Sequence, residues 1–395
     1  MKLQYIDTFS YHTGHLQFNA SLLVMLSLIY DKKRISYLSG NNSAKELYKL
    51  LKGRYTLKNV KHKSIFVFPG NHKYALLMRY IISAITNIII LIFSSPNTIL
   101  IYNFNNVFSL RLINLINKIL NRKILICCHG EMELMTKDTI GKGLLHKLLA
   151  FLIKDFFIKR RKIQQNIYFI VLGDSTKKNI EKILTEEQAK KIISIDHSYI
   201  FSQSTGTNDN YTNKRTINIG TVGIFNKSKG ADAFVDLAAQ IKNPIISLSI
   251  TGQISYNIDI LTKLKIDLPS NLGSSPLEQD EFNLRIRNLD FILFLYPPDS
   301  YTMAASGAIL DAINMQKPII AITNSYFNYI FNKFGNIGFL GSNLQDIIYY
   351  INHLQKTKID NHTFSPINYT NIQKLLQPEN LKDDLKNKLS NIKYY

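Results

Sequence analysis

The chain has 395 residues, 48 Lys and Arg against 28 Asp and Glu, 46% hydrophobic residues, two cysteines and no tryptophan; at roughly 100–200 residues per domain this length asks for two domains, three at most, and excludes a largely disordered chain. Cys127 and Cys128 are adjacent and point to opposite faces of a strand, which excludes a disulfide framework and a four-cysteine zinc site and fits a reducing, cytoplasmic compartment. Of the formal charge of +20, residues 1–200 carry +18, from 30 Lys and Arg against 12 Asp and Glu, so this half calls for an anionic surface or a polyanion.

The first ten residues are mixed, include Asp7 and lack a small-residue cleavage site, so no secretory signal is expected. Short β-branched and aromatic runs then alternate with helical stretches. Strands are predicted at 3–8, 35–38, 65–68, 98–102, 123–128 and 167–172, with helices near 18–30, 43–53, 72–93, 107–121, 143–163 and 175–184. Such alternation gives a parallel sheet flanked by helices, with ligands at the carboxyl ends of the strands. The longest apolar stretch, 80–93, contains Thr86 and Asn87 and falls short of the roughly 20 residues a spanning helix needs, so a buried or interfacial helix is expected.

The segment LLHKLLAFLIKDFFIKRRKIQ, 144–164, reads as an apolar helix ending in Lys159, Arg160, Arg161 and Lys162. It can lie in an anionic membrane interface, or cover a sheet with a basic end that suits its dipole. The +18 favours peripheral docking of the first domain on the inner face of the cytoplasmic membrane. No helix-turn-helix, RRM, KH or zinc pattern supports nucleic acid as the partner. Asp174 and Ser175 read as a helix cap, and His197 and Tyr199 as candidates to line a cleft.

Residues 201–215 form a polar run without period and read as a linker, after which the rhythm restarts. Strands are predicted at 216–223, 245–251, 291–296 and 318–322, with helices at 229–241, 256–264, 277–288 and 303–315, making a second domain over 216–355. The tail, 356–395, is polar, Asn- and Lys-rich, and expected to end in a helix packed back over one domain. The fold class is therefore α/β, two doubly wound Rossmann-like domains facing across a cleft.

Within the second domain, a strand runs into a glycine turn at Gly220 and Gly223, and a helix starts near Gly230. Amides there, with Lys227 and Lys229 beside them, suit a diphosphate; the alternative is a glycine turn with two solvated lysines. Further on, Pro297 and Pro298 force an irregular loop, and Ser306-Gly307 opens the next helix to close approach by a ligand. Asp311 lies four residues beyond Gly307 on the same helix face, where it can accept from ribose hydroxyls or simply be solvated. No Asp-x-Asp motif, phosphate-binding loop of the G-x-x-x-x-G-K-[ST] type or G-x-G-x-x-G fingerprint occurs, so neither a divalent metal nor a dinucleotide cofactor is expected.

Together these segments resemble the nucleotide-sugar domain of GT-B glycosyltransferases, glycosyltransferase family 4 in particular. Val222-Gly223 followed by Lys229-Gly230 matches that family's V-G-x-x-x-x-x-K-G loop, and Asp311-Ala312 with Lys317-Pro318-Ile319-Ile320 aligns with the end of its E-A-x-x-x-G-x-P-V-I motif. The resemblance implies that Lys229 contacts a donor diphosphate. Ile224 replaces the family's Arg, Met303 stands where its first Glu falls, and Asp311 replaces its second; Asp299, Ser300 and Tyr301 are the nearby polar substitutes. In the first domain His129, Gly130 and Glu131 follow a predicted strand, and the resemblance implies that His129 meets the transferred sugar. On bare chemistry His129 or Glu131 could serve as base, or the His could be satisfied by loop backbone. Gly14 and His15, in the YHTGH loop, resemble a loop that admits the acceptor.

The activity implied is transfer of a sugar from a nucleotide-diphosphate sugar to a lipid-linked or growing saccharide in capsule, O-antigen or lipopolysaccharide assembly. The other expectation is a non-catalytic scaffold that binds a nucleotide sugar or a glycan.

Overall fold

A computed structural model describes residues 2–70, 72–137, 143–202, 216–275, 277–355 and 369–395. The chain divides into two compact units: unit 1 comprises Met1–Ile200, Tyr301–Ala305 and Lys374–Tyr395, and unit 2 comprises Phe201–Ser300 and Ser306–Gln373. Most of the 201–215 stretch and 356–368 of the tail lie outside the described residues. Unit 1 has 35 Lys and Arg against 15 Asp and Glu, and unit 2 has 13 against 13. The entire formal charge of +20 therefore belongs to unit 1.

The sheet of unit 1 has seven parallel strands in the order β3-β2-β1-β4-β5-β6-β7. They are β1 (Lys2–Asp7), β2 (Ile35–Ser39), β3 (Val60–Ser64), β4 (Thr98–Tyr102), β5 (Lys123–Cys127), β6 (Ile167–Leu172) and β7 (Ile192–Ile195). Central β4, TILIY, is buried at every position, as a strand covered on both faces must be. One face is covered by α1 (Leu16–Ile29) and α2 (Asn41–Leu51), the other by α3 (Lys73–Phe93), α4 (Val107–Leu120) and α5 (Leu144–Phe157). Short α6 (Asp174–Glu181) and α7 (Glu186–Ala189) lead into β7.

α1 is apolar nearly all round: Leu22, Leu23, Val24, Met25 and Leu26 are at most 1% exposed. Burying each such side chain stabilises by about 1.5–3 kcal/mol, which requires cover on the outer side as well. The C-terminal segment supplies that cover. Its last helix, Pro378–Asn391, lies along α1, the Tyr30 hydroxyl donates to the Tyr394 carbonyl at 2.8 Å, and Ile124 N donates to the Tyr394 hydroxyl at 3.0 Å.

Unit 2 has five parallel strands in the order β12-β11-β10-β8-β9: β8 (Ile217–Val222), β9 (Ile246–Thr251), β10 (Phe291–Phe294), β11 (Ile319–Ile322) and β12 (Gly338–Gly341). Its helices are α8 (Ala231–Gln240), α9 (Ile258–Lys263), α10 (Gln279–Arg287), α11 (Ala308–Asn314), α12 (Ser325–Phe334), α13 (Leu344–Asn352) and α14 (Tyr369–Leu376), whose last turn passes into unit 1. Ile219, Phe234, Leu237, Leu293 and Ile347 centre its core.

Some elements differ from the sequence expectation for physical reasons. The third strand is the polar run Val60–Ser64 rather than 65–68, because an edge strand carries lysines on its open side, and the apolar residues after it leave Phe66 exposed. The helix expected over 144–164 ends at Phe157: Arg160 takes a left-handed φ of 54°, and Arg161 turns back to donate to both Asp155 carboxylate oxygens at 2.9 and 2.8 Å. The basic run thus occupies a turn, and hydrogen bonding from Arg161, helped by Lys159, lowers the Asp155 carboxyl to about 2. The helix expected to start at 303 starts at Ala308, because Tyr301–Ala305 belongs to unit 1.

Candidate functional site

In an open parallel sheet the crevice for a ligand opens where the strand order reverses, at the carboxyl ends of the two strands that diverge. In unit 2 that point lies between β8 and β10. Three glycines shape it. Gly223 (φ 88°) ends β8, and a Cβ on Gly252 (φ 144°), beyond β9, would stand 1.9 Å from the Gly223 carbonyl oxygen. A Cβ on Gly230 (φ 84°) would stand 1.9 Å from the Leu295 carbonyl oxygen just past β10. The loop between is fixed by Asn226, whose side-chain oxygen accepts from Lys229 N at 3.0 Å and from the Ser228 hydroxyl at 2.8 Å.

This geometry turns the Lys229 side chain inward. Its ammonium stands 5.9 Å from the centre of the buried Tyr296 ring and near the Asp311 carboxylate. Burial pushes the Lys229 ammonium toward release of its proton, and Asp311 opposes that shift. An anion bound here would restore what burial takes from the cation. Ser306, 1% exposed, directly precedes Gly307 and α11, and its hydroxyl has no protein partner. The hydroxyls of Ser249 and Thr251, in β9, are also buried and unpartnered. Each such group costs about 1–3 kcal/mol unless a ligand or water completes it. Gly223 and Gly307 face open space, with no atom within 4 Å of an added Cβ.

Not every expected donor residue gathers here. Lys227 is exposed and its ammonium lies 3.7 Å from the exposed Asp232 carboxylate. Tyr301, with a left-handed φ of 56°, falls in unit 1. In the same segment the Met303 side chain enters the unit 1 core, and its amide donates to Glu133 at 2.6 Å. The position aligned with the family's first Glu therefore presents backbone to an acid.

In unit 1 the strand order reverses between β1 and β4, and the loops after β1, β4 and β5 meet there. Asp7 is buried at the end of β1 and organises the first loop. It accepts from Phe9 N at 3.3 Å, from Ser10 N at 2.9 Å and from the Asn19 amide at 3.0 Å. Burial raises its pKa, and hydrogen bonds from Ser10, Asn103 and Phe9 counter the rise. Gly14 is exposed in this loop and donates to the Tyr11 carbonyl at 3.1 Å, while His15 (φ 54°) starts α1.

The His15 and His129 rings lie 4.5 Å apart, and Phe18 stands edge-on to both His129 (4.8 Å) and His197 (5.7 Å). His129 Nε2 lies 2.8 Å from the Asn103 carbonyl oxygen. A carbonyl only accepts, so Nε2 carries the proton and Nδ1 keeps the lone pair. Burial, followed by the neighbouring His15, holds the His129 pKa well below its ordinary value, so the ring is neutral near pH 7. A neutral imidazole with a free lone pair can accept a proton or a sugar hydroxyl hydrogen bond.

Glu131 lies in the turn that follows His129. Both its oxygens accept from the backbone N of His129 at 3.0 Å, it is 8% exposed, and burial pushes it up to about 7. It positions the His129 loop. Asn103, His197 and Asp7 were missed or only grazed in the sequence because lone polar residues at strand ends form no motif. For Asn103 the local signal was its place directly after the strand predicted at 98–102; Asp7 fell inside the strand predicted at 3–8, and His197 follows β7, which the sequence did not show.

Beside this site a pocket of about 480 Å³ opens at the carboxyl ends of β1, β2 and β3. Ser10, Asn41, Asn42, Ser43 and Ser64 give it hydroxyls and amides, Tyr11 and Phe66 give it rings, and no lining residue is charged.

No protein-family model and no curated protein sequence matches this chain. Solved structures do. HepE from Anabaena, in complex with UDP and glucose, is similar at a TM-score of 0.59 and 13% identity, covering 99% of this chain and 100% of its own. A variant of TarM from S. aureus, bound to fondaparinux, α-GlcNAc-glycerol and UDP, gives a TM-score of 0.61 at 11% identity, covering 99% of each chain. The lipopolysaccharide outer core galactosyltransferase WaaB gives 0.55 at 14% identity, again over 99% of each. Two parallel α/β sheets and near-complete coverage by these structures establish that the chain has the GT-B fold.

Proposed function

We propose that the chain is a glycosyltransferase that moves a sugar from a nucleotide-diphosphate sugar, bound by unit 2, to a saccharide acceptor, bound by unit 1. The observation that carries this reading is the inward ammonium of Lys229, set beside Tyr296 and Asp311 at the strand-reversal point of unit 2. A partly desolvated cation with open backbone at Gly223 and Gly307 suits a diphosphate, whose negative charge grows as the sugar leaves. Asp311 then receives the ribose hydroxyls, and the Ser306 hydroxyl gains the partner it lacks. The UDP bound to HepE and to the TarM variant supports a uridine donor.

On the acceptor side, His129 Nδ1 offers a lone pair to a hydroxyl, while Gly14 and His15 edge the entry. The uncharged pocket at Ser10 and Asn42 suits a neutral sugar ring, which stacks on aromatics and bonds to amides and hydroxyls. A lipid-linked or growing glycan of the cell surface is the acceptor class this reading favours, supported by the similarity to WaaB, a lipopolysaccharide outer core galactosyltransferase. No divalent metal enters the proposal, because the sequence lacks an Asp-x-Asp motif.

The test is calorimetry of UDP- and GDP-sugars followed by a transfer assay. Lys229→Ala is expected to lower transfer by about 100-fold, as loss of one charge-stabilising donor does, with an unfolding midpoint close to wild type. An unchanged rate would remove Lys229 from the mechanism. A second reading, a binding scaffold without turnover, is favoured by Met303, which places no carboxylate where the resembling family has one. Nucleotide-sugar binding with no transfer to any acceptor would select it.

A further inference from the structure

Helix α3 is apolar on both sides: Ala75, Tyr80, Ala84 and Leu91 are buried, with three polar residues among them. Its sheet-facing side carries Arg79, Ser83 and Asn87, and its outward side carries Ile85, Ile89, Ile92 and Phe93. The inward polar groups are all engaged: Arg79 donates to the Phe68 carbonyl at 3.1 Å, Ser83 shares a 2.6 Å bond with Thr8, and Thr8 donates to Asn87 at 2.8 Å. Among the described residues α3 is the one helix long and apolar enough to cross a bilayer, with a mean hydropathy of 2.1. Bonds to the loop after β1, and from the β4 residue Tyr102 to Asn87, hold it on the sheet instead. Its exposed apolar residues therefore face outward by construction.

The two helices beside it continue the surface. α4 lies against α3 and exposes Leu112, Leu115 and Ile119; α5 lies against α4 and exposes Leu144, Leu148 and Phe151. The most exposed of these are Phe93 at 82%, Ile119 at 85% and Leu144 at 84%. Exposed apolar area spread over three neighbouring helices exceeds the scattered residues normal on a soluble surface. Cations sit among it: Arg111 and Lys118 on α4, Lys147 on α5, and Lys159, Arg160 and Lys162 in the turn after α5. α3 and α4 contain no acid, and the only acid of α5, Asp155, is buried and shared by Arg161 at 2.8 Å, Lys159 at 3.2 Å and Arg111 at 4.0 Å, so Lys118, Lys147, Arg160 and Lys162 carry the charge of this face that Asp155 does not offset.

We propose that this α3–α4–α5 face docks on the surface of an anionic phospholipid bilayer, with the isoleucines, leucines and phenylalanines entering the headgroup boundary and the cations meeting lipid phosphates. The charge partition selects this occupant. A second copy of the chain would bring together two units of formal charge +20 through a face without free acids, and a nucleic acid would leave the apolar side chains uncovered. Docking rests on this face alone and is independent of the proposed chemistry at Lys229.

The full-length protein should be sedimented with vesicles of phosphatidylcholine alone and of phosphatidylcholine with phosphatidylglycerol, at low and high salt, with UDP-sugar binding measured in parallel. Binding is expected on the anionic vesicles and weakened by salt. Phe93→Ser/Ile119→Ser/Leu144→Ser and, separately, Lys118→Glu/Lys147→Glu/Lys162→Glu should each lower it about tenfold or more, since each removes three of the contacts that hold such a face on an anionic surface. Far-UV circular dichroism should match wild type, and so should the nucleotide-sugar affinity, whatever its value. Failure of the wild type to bind anionic vesicles, or triple variants that bind as well as wild type, would overturn the proposal. So would a dimer in solution that the serine variant dissociates.

Discussion

Two titratable residues in unit 1, the half-buried His197 and the buried Glu131, pull the stability profile in opposite directions. His197 is held at about 4 by burial, against about 6.5 in an unfolded chain. Between those values the unfolded state takes a proton that the folded state refuses, so stability is complete above pH 6.5 and declines as pH falls toward 4. Glu131 behaves in reverse. Burial raises it to about 7 while the unfolded carboxyl titrates near 4.3, so its contribution is complete below about 4.3 and is lost as pH rises through 7. Each group shifts the free energy by roughly 1.4 kcal/mol per pH unit across its window. The two windows overlap, so the opposite slopes largely cancel in the wild type and each variant should uncover the other group. His197→Asn, whose amide can still donate to the Ser198 carbonyl that His197 Nδ1 meets at 3.0 Å, should lower the slope of stability against pH over this range relative to wild type. Glu131→Gln should raise that slope and add about 1–3 kcal/mol at pH 8. Urea unfolding of wild type and both variants from about pH 4 to 8 checks the signs. A variant whose slope matches that of wild type assigns that pH dependence elsewhere.

Among elements, the central strands could be read from the sequence, as could the edge strand β9, expected at 245–251 and found at Ile246–Thr251, whereas the other edges could not. β4 and β6 occupy 98–102 and 167–172 as expected, because a central parallel strand is a continuous apolar run. The edge strands β3, β7 and β12 escaped: VKHKS is polar, IISI follows a helix-like run, and GFLG begins and ends in glycine. The loop from β8 to α8 was readable as a glycine turn with lysines. Which lysine turns inward was not, because that depends on Gly230 passing beneath the Leu295 carbonyl of a strand 65 residues later. The closeness of that approach makes Gly230→Ala a test of the loop. A Cβ 1.9 Å from a backbone oxygen, at a φ of 84°, cannot be relieved by rotating a side chain. The substitution should destabilise by about 3 kcal/mol or more and abolish nucleotide-sugar binding even where the fold survives. Chemical denaturation and calorimetry on the same sample measure both. A variant of wild-type stability would show that the loop can be rebuilt without this contact.

At the scale of the whole chain, the C-terminal helix changes the account of charge. By sequence position, residues 1–200 carry +18 and the rest +2; by folded unit, the division is +20 and zero, because Lys374–Tyr395 returns to unit 1. A unit with 35 cations and 15 anions repels itself in the folded state, and the repulsion is strongest where few ions screen it. The Debye length shrinks from about 30 Å at 0.01 M salt to about 8 Å at 0.15 M, so added salt relieves unit 1 over most of its width. Unit 2, with 13 charges of each sign, gains nothing comparable. Raising sodium chloride across that range should therefore slow amide exchange in β4, β5 and β6 and leave β8, β10 and β11 nearly unchanged. Hydrogen exchange read by mass spectrometry resolves the two sets of strands in one experiment. Anionic vesicles at low salt should protect the unit 1 strands in the same way, because a bound anionic surface neutralises the same cations. Equal salt responses in both sheets would mean that the unit 1 charges are already compensated within the fold, and the electrostatic part of the docking argument would then lose its basis.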